Sequence, residues 1–153
     1  MRTIVYIDGF NLYHCAVSRT AYKWLDLPAF CDRLAGPNHT VVRVKYFTAK
    51  LKDLPHSPGS QQRQFIYWRA LGTLPRLDVH LGKFSNDSDL REPVRMVKEE
   101  IGLPVGVCNP AGGRKDLLVG SFTRPLREWM LRDSQLPTNL TDATGAFHKP
   151  PTW

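Results

Sequence analysis

Thr3-Ile4-Val5-Tyr6-Ile7-Asp8-Gly9-Phe10-Asn11 is the stretch that decides the fold. Thr3 to Ile7 is an apolar, β-branched run, the pattern of a parallel strand covered on both faces. Asp8 ends the run, Gly9 permits a tight turn, and a helix beginning near Asn11 carries Leu12, Tyr13 and Val17. Acidic groups just past strand ends sit where an open α/β sheet places its working residues.

Outward from that strand, the pattern alternates. A short helix fits Pro28–Leu34, with Pro28 in its first turn, and Gly36-Pro37-Asn38 breaks the chain after it. A second strand spans Thr40–Thr48, where Val42, Val44 and Tyr46 alternate with Arg43 and Lys45. Leu54 to Ser60 reads as a loop, and Ser60 as the N-cap of a helix reaching Leu71. A third strand fits Leu77–Phe84, a helix Glu92–Ile101 stopped by Gly102, a fourth strand Pro104–Cys108, and a helical region Asp116–Arg132. This β-α-β-α-β-α-β order predicts a parallel sheet with right-handed crossovers. Residues 1–132 form the domain, and the polar residues 133–153 a C-terminal tail that wraps it or is loosely held.

The 153 residues carry 21 Lys and Arg against 14 Asp and Glu, a net charge of +7, and 42% are hydrophobic. That is ordinary for a soluble globular protein, while the positive balance fits a partner rich in negative charge as well as it fits plain solubility. Cys15, Cys31 and Cys108 are too scattered for a disulfide framework or a zinc site. The apolar run stops too early for a signal peptide, and no stretch approaches a membrane span. The expectation is a soluble, cytoplasmic protein with no membrane partner.

A second acidic segment, Ser85-Asn86-Asp87-Ser88-Asp89, precedes the Glu92–Ile101 helix. In an extended segment Asp87 and Asp89 share a face. Asp89 alone also reads as an N-cap, but that leaves Asn86 and Asp87 unexplained. Carboxylates gathered with Asp8 would repel one another unless a cation lay between them, and hard oxygen ligands suit Mg²⁺ or Mn²⁺. Asn11 is within reach as a neutral ligand or a water-orienting group. A metal so held activates water and stabilises a phosphodiester under attack. No Ser-His-Asp or Cys-His arrangement competes, and Gly112-Gly113-Arg114-Lys115 lacks phosphate-loop spacing.

Tyr6-Ile7-Asp8-Gly9-Phe10-Asn11-Leu12 and Ser85-Asn86-Asp87-Ser88-Asp89-Leu90 resemble the paired signature motifs of NYN-domain proteins, PIN-like metal-dependent ribonucleases. The resemblance extends to Val44-Lys45-Tyr46-Phe47-Thr48-Ala49, Arg69-Ala70-Leu71, Gly102-Leu103-Pro104-Val105-Gly106, Leu140-Thr141-Asp142-Ala143 and Phe147-His148-Lys149-Pro150. It implies a three-layer α/β/α fold and metal-dependent cleavage of single-stranded RNA. Asp8, Asp87 and Asp89 would be catalytic and metal-binding, with Asn11 and Asn86 in support. One departure stands out: such proteins carry a further helix and strand, with another acidic residue, where Phe84 here runs directly into Ser85.

That gap leaves two arrangements. If the third strand lies two places from the first, the strand ends are roughly 10 Å apart, too far to share one small cation. If it fills the vacant slot beside the first strand, Asp87 approaches Asp8. The second arrangement is favoured, because an unfilled gap would leave ladder groups unpaired.

Among basic residues, Arg114-Lys115 is the best placed for substrate. Lys45, Lys50, Lys52, Arg63, Arg69, Arg124, Arg127 and Arg132 read first as solvated surface. Phe65, Tyr67, Trp68, Trp24 and Trp129 read as core packing, and His14 as a surface or satisfied histidine. The alternative to hydrolysis is an inactive nucleic-acid-binding or interaction protein. A core face stripped of its covering helix would favour a homodimer.

Overall fold

β1 (Arg2–Asp8), β2 (Thr40–Ala49) and β3 (Leu77–Gly82) pair in parallel in the order β1-β2-β3. Their register aligns Asp8 with Phe47 and Phe47 with His80, so all three strands end at one edge. This computed structural model describes residues 1–53, 55, 57–82, 99, 102–110 and 122–153. The chain is an α/β protein.

The strand order corrects the favoured arrangement: β3 pairs with β2 and does not occupy the slot beside β1. Ladder pairing with β2 satisfies β3 directly, and among the described residues nothing pairs with the other side of β1. The run Thr3–Ile7 is also not covered on both faces. Ile7, Val44 and Tyr46 are buried on one side, while Ile4, Tyr6 and Phe47 on the other are 49%, 58% and 44% exposed.

Two helices cover the buried face. α1 (Leu27–Ala35) begins at Asp26, whose carboxylate accepts a hydrogen bond from Ala29 N, with Pro28 in its first turn. It packs Leu27, Phe30 and Cys31 inward. α2 (Ser60–Leu71) buries Gln64, Tyr67, Ala70 and Leu71. Ser60 is not its N-cap. Gly59 holds that position at φ 72°, a left-handed conformation natural to glycine. The capping acceptor comes from further back, because Asp53 accepts hydrogen bonds from Gln61 N at 2.8 Å and Ser60 Oγ at 3.0 Å.

The expected fourth strand is the short β4 (Gly106–Val107), which pairs in parallel with β5 (Phe122–Thr123) in a sheet of its own. The helical region expected to reach Arg132 is reduced at its described end to α3 (Glu128–Arg132). Pro125 disfavours helix just before it, and residues 124–127 are irregular. Trp129, read as packing, is 45% exposed.

Of the two expectations for the residues after 132, wrapping the domain is what the structure shows: turns and irregular backbone tied to residues 24–26, and one short hairpin. Leu136 N donates to Trp24 O and Asp26 N donates to Ser134 O, both at 2.8 Å, while the Trp24 indole donates to Pro137 O. β6 (Asn139–Asp142) and β7 (Gly145–His148) then form an antiparallel hairpin. Asp142 accepts from Thr144 N and Thr144 Oγ1 across the turn, and Gly145 closes it at φ 118°. Arg69 on α2 donates two hydrogen bonds to Asp142 and one to Gly145 O, and stacks 4.1 Å from the Phe147 ring centroid. Trp153 packs on Tyr67 at 5.3 Å and on Trp24 at 6.4 Å between centroids. No described helix is long and apolar enough to cross a membrane.

Candidate functional site

The carboxyl edge of the sheet is where ligands of open α/β proteins collect, and two features stand there. The first is Asp8. Its Oδ1 accepts hydrogen bonds from Phe10 N and Asn11 N, each at 3.0 Å, and its Oδ2 accepts from Asn11 Nδ2 at 2.6 Å. Asp8 therefore caps the turn Gly9–Leu12, which runs on into a π-helical turn, Tyr13–Val17. A carboxylate at a helix start satisfies otherwise orphaned amide donors. Asn11 Nδ2 holds that carboxylate in place, and what the bonds of Asp8 do here is cap the turn.

Beneath this cap lies Tyr46. A Cβ added at Gly9 would meet the Tyr46 ring and hydroxyl at 2.7 Å, so glycine is what lets the turn sit on the ring. Burial pushes the Tyr46 hydroxyl up to about 12; a hydrogen bond with Thr48 pulls the other way, and the Asp8 charge adds to the rise. Tyr46 is a neutral support for the turn at ordinary pH. His14 is exposed, stacked on Phe10 at 6.1 Å and against the edge of Tyr13 at 5.3 Å.

Asn86, Asp87, Asp89, Arg114 and Lys115 lie outside the described residues. Among the described residues no group of three or more His, Cys, Asp or Glu gathers where it could hold a metal ion. With β2 between them, the ends of β1 and β3 are two strand spacings apart, roughly 10 Å. Ligand bonds of about 2.1 Å cannot bridge those two ends through one Mg²⁺. The described residues do not by themselves build the expected Mg²⁺ or Mn²⁺ centre.

The second feature is a depression of about 250 Å³ where β2 gives way to α2, lined by Lys50, Gln61, Gln62, Gln64, Phe65 and Trp68. Its walls are tied down. Gln64 donates to Ala49 O at 3.0 Å and accepts from Leu51 N at 2.9 Å, and Gln61 donates to Leu51 O at 2.9 Å. These bonds clamp the backbone on both sides of Lys50. No described carboxylate pairs with that ammonium. Phe65 is 61% exposed, and the Trp68 indole N–H is buried with no acceptor among the described residues.

Sequence reasoning missed this site because it assigned Phe65 and Trp68 to the core and Lys50 to the solvent. Of the aromatics on α2, Tyr67 alone is fully buried. The signal was available: Gln61, Gln64, Phe65 and Trp68 recur at helical spacing beside the Gln64, Tyr67, Ala70, Leu71 stripe. Phe65 and Trp68 add aromatic surface beyond the Tyr67, Ala70, Leu71 face that the core uses.

No family model and no solved structure matches the chain. Among curated proteins it is 28% identical over 166 residues to the 6-hydroxy-3-succinoylpyridine 3-monooxygenase HspA of Pseudomonas putida (strain DSM 28022 / S16). The match covers 97% of this chain and 47% of that protein, so the chain spans about half the length of its relative. The finding corrects the expected activity. The resemblance implied phosphodiester hydrolysis of RNA, whereas the curated protein similar over nearly the whole chain is a monooxygenase, and the ribonuclease reading falls.

Proposed function

We propose that this chain is the ligand-holding part of an aromatic-ring oxygenation system, and that the depression between β2 and α2 takes a planar, anionic heteroaromatic compound of the hydroxypyridine-acid class. The observation that carries the reading is a clamped concavity lined by two aromatic side chains and a lysine that pairs with no described carboxylate. Ligand sites are concave, mostly apolar, and oriented by a few fixed polar groups, and this one has that composition. The name of the curated relative supports the same class, since 6-hydroxy-3-succinoylpyridine is a flat ring with an acidic side chain. The volume suits one such ring with a short chain. In this reading the Phe65 and Trp68 rings hold the heterocycle and Lys50 holds the carboxylate. The Gln62 amide addresses a ring hydroxyl or nitrogen. The fold is read, within the same proposal, as a shortened PIN-like sheet whose carboxyl edge has been turned to small-molecule binding.

The test is titration of the purified chain with 6-hydroxy-3-succinoylpyridine, followed by amide chemical shifts. Saturable shifts centred on Lys50, Gln62 and Phe65, weakened about tenfold or more in Lys50→Met and in Phe65→Ala, support the reading; a tenfold loss corresponds to ~1.4 kcal/mol. Absence of saturable binding at millimolar ligand, or equal binding by both variants, refutes it.

A further inference from the structure

A parallel sheet is ordinarily covered on both faces, and an uncovered apolar face marks an interface. Among the described residues nothing covers the face of β1-β2-β3 turned away from α1 and α2. Ile4, Tyr6 and Phe47 are largely exposed there, and three rings stand in a column across the strands. Tyr6 and Phe47 stack at 6.4 Å and 15°, and Phe47 and His80 at 4.7 Å and 12°. Lys45 Nζ lies 5.7 Å from the Tyr6 centroid, and Arg43 pairs with Asp78 at 3.4 Å.

We propose that this face docks on the same face of a second copy of the chain, with strands antiparallel across the interface. The proposal is independent of the ligand site above, which lies on the other side of β2. Its ground is charge self-complementarity. The ladder sets Lys45 level with Asp78, and Phe47 level with His80 one step further on. A two-fold axis perpendicular to the strands, passing between these two rows, brings each residue over its partner in the neighbouring row. Lys45 of each copy then meets the Phe47 ring of the other, and Asp78 meets His80. A cation over an aromatic face and a carboxylate against an imidazole are both favourable. The alternative axis, along β2, sets Lys45 against Lys45 and is repulsive. The geometry therefore selects a single isologous orientation, as closed two-fold assemblies require.

A patch of three short strands falls at the low end of specific interface size, so the dimer is weak and reversible, with a dissociation constant on the order of 10–100 µM. Sedimentation equilibrium on the full chain over a wide concentration range tests this. The expected result is a reversible monomer–dimer equilibrium that is lost in Phe47→Lys, which sets like charges against Lys45 of the other copy. Asp78→Lys and His80→Glu each weaken it tenfold or more, and the double variant restores it, because an ammonium and a carboxylate then face each other. Circular dichroism and thermal unfolding of each variant confirm that the exposed substitutions leave the fold intact. A wild-type chain that is monomeric throughout, or a Phe47→Lys variant that dimerises as well as wild type, overturns the proposal. Single charge variants that both weaken association without rescue in the double overturn the orientation.

Discussion

Substituting Gly9 by alanine tests whether the Asp8 turn is held by its contact with Tyr46. The added Cβ would lie 2.7 Å from Cε2, Cζ and the hydroxyl of Tyr46, well inside van der Waals contact. Tyr46 is 8% exposed and hydrogen-bonded to Thr48, so its ring has little freedom to withdraw. Overpacking of this kind costs ~2–3 kcal/mol. Alanine in place of glycine at a helical position returns ~0.5–1 kcal/mol of backbone entropy and propensity. The net destabilisation is then about 1–2.5 kcal/mol, which for a chain of this size lowers Tm by roughly 3–8 °C. Urea unfolding of wild type, Gly9→Ala, Tyr46→Leu and the double variant separates the contact from general effects. With the ring removed, alanine has room, and the two substitutions should show a coupling of at least ~1 kcal/mol. A Gly9→Ala protein as stable as wild type, or one whose penalty is unchanged in the Tyr46→Leu background, would refute the reasoning.

The remaining predictions concern the hairpin and the thiols. Hydrogen bonds from Arg69 first, and then from Thr144, hold the Asp142 carboxyl well below the usual carboxylate range. A depressed folded pKa means that the unfolded chain binds the proton more readily, so the contribution is complete above about pH 5 and is lost as pH falls below ordinary carboxylate values. Asp142→Asn should lower Tm at pH 7 and make Tm less dependent on pH between about 4 and 2 than in wild type; parallel curves would count against the pair. Burial pushes the Cys31 thiol up, whereas Cys15 is exposed. A thiol reagent at pH 8 should label Cys15 in the folded protein and reach Cys31 only at the rate of unfolding, as peptide mass mapping can follow.

Much of the fold was legible because local patterns were strong. The apolar run to Ile7, the Val42, Val44, Tyr46 alternation and Pro28 at a helix start placed β1, β2 and α1 to within a residue or two. The neighbour of β3 was not legible. The argument from unpaired ladder groups weighed a gap beside β1, but pairing with β2 satisfies β3 equally well, and local sequence cannot rank two such slots. The cap of α2 was misassigned because Asp53 reaches it from seven and eight residues away, outside the window a capping rule inspects. The hairpin was hidden by polarity: Asn139 to His148 lacks a core-like run, and its hold on the domain comes from Arg69, which pairs with Asp142 and bonds Gly145 O, and from Leu140 and Phe147 packed on the core. At the site, Asp8 and Asn11 stood out in the sequence as a metal ligand and its support, and the capping role of Asp8 did not, since both roles draw on the same residues. The Lys50 depression was lost for a different reason: aromatic residues on a crossover helix usually pack inward, and Phe65 does not.

The grip of Arg69 on the hairpin joins positions 73 residues apart. Closing a loop of that size is slow compared with zipping a neighbouring helix. The last strand pair is thus a latch on a body whose central sheet involves only residues 2–82. Deuterium pulses during refolding should find β1 and β2 protected first and the latch shut last. Until it shuts, α2, whose Gln61, Gln64, Phe65 and Trp68 line the Lys50 depression, stands without the Arg69 brace, so on the function proposed above binding competence should arrive with the latch and not with the sheet.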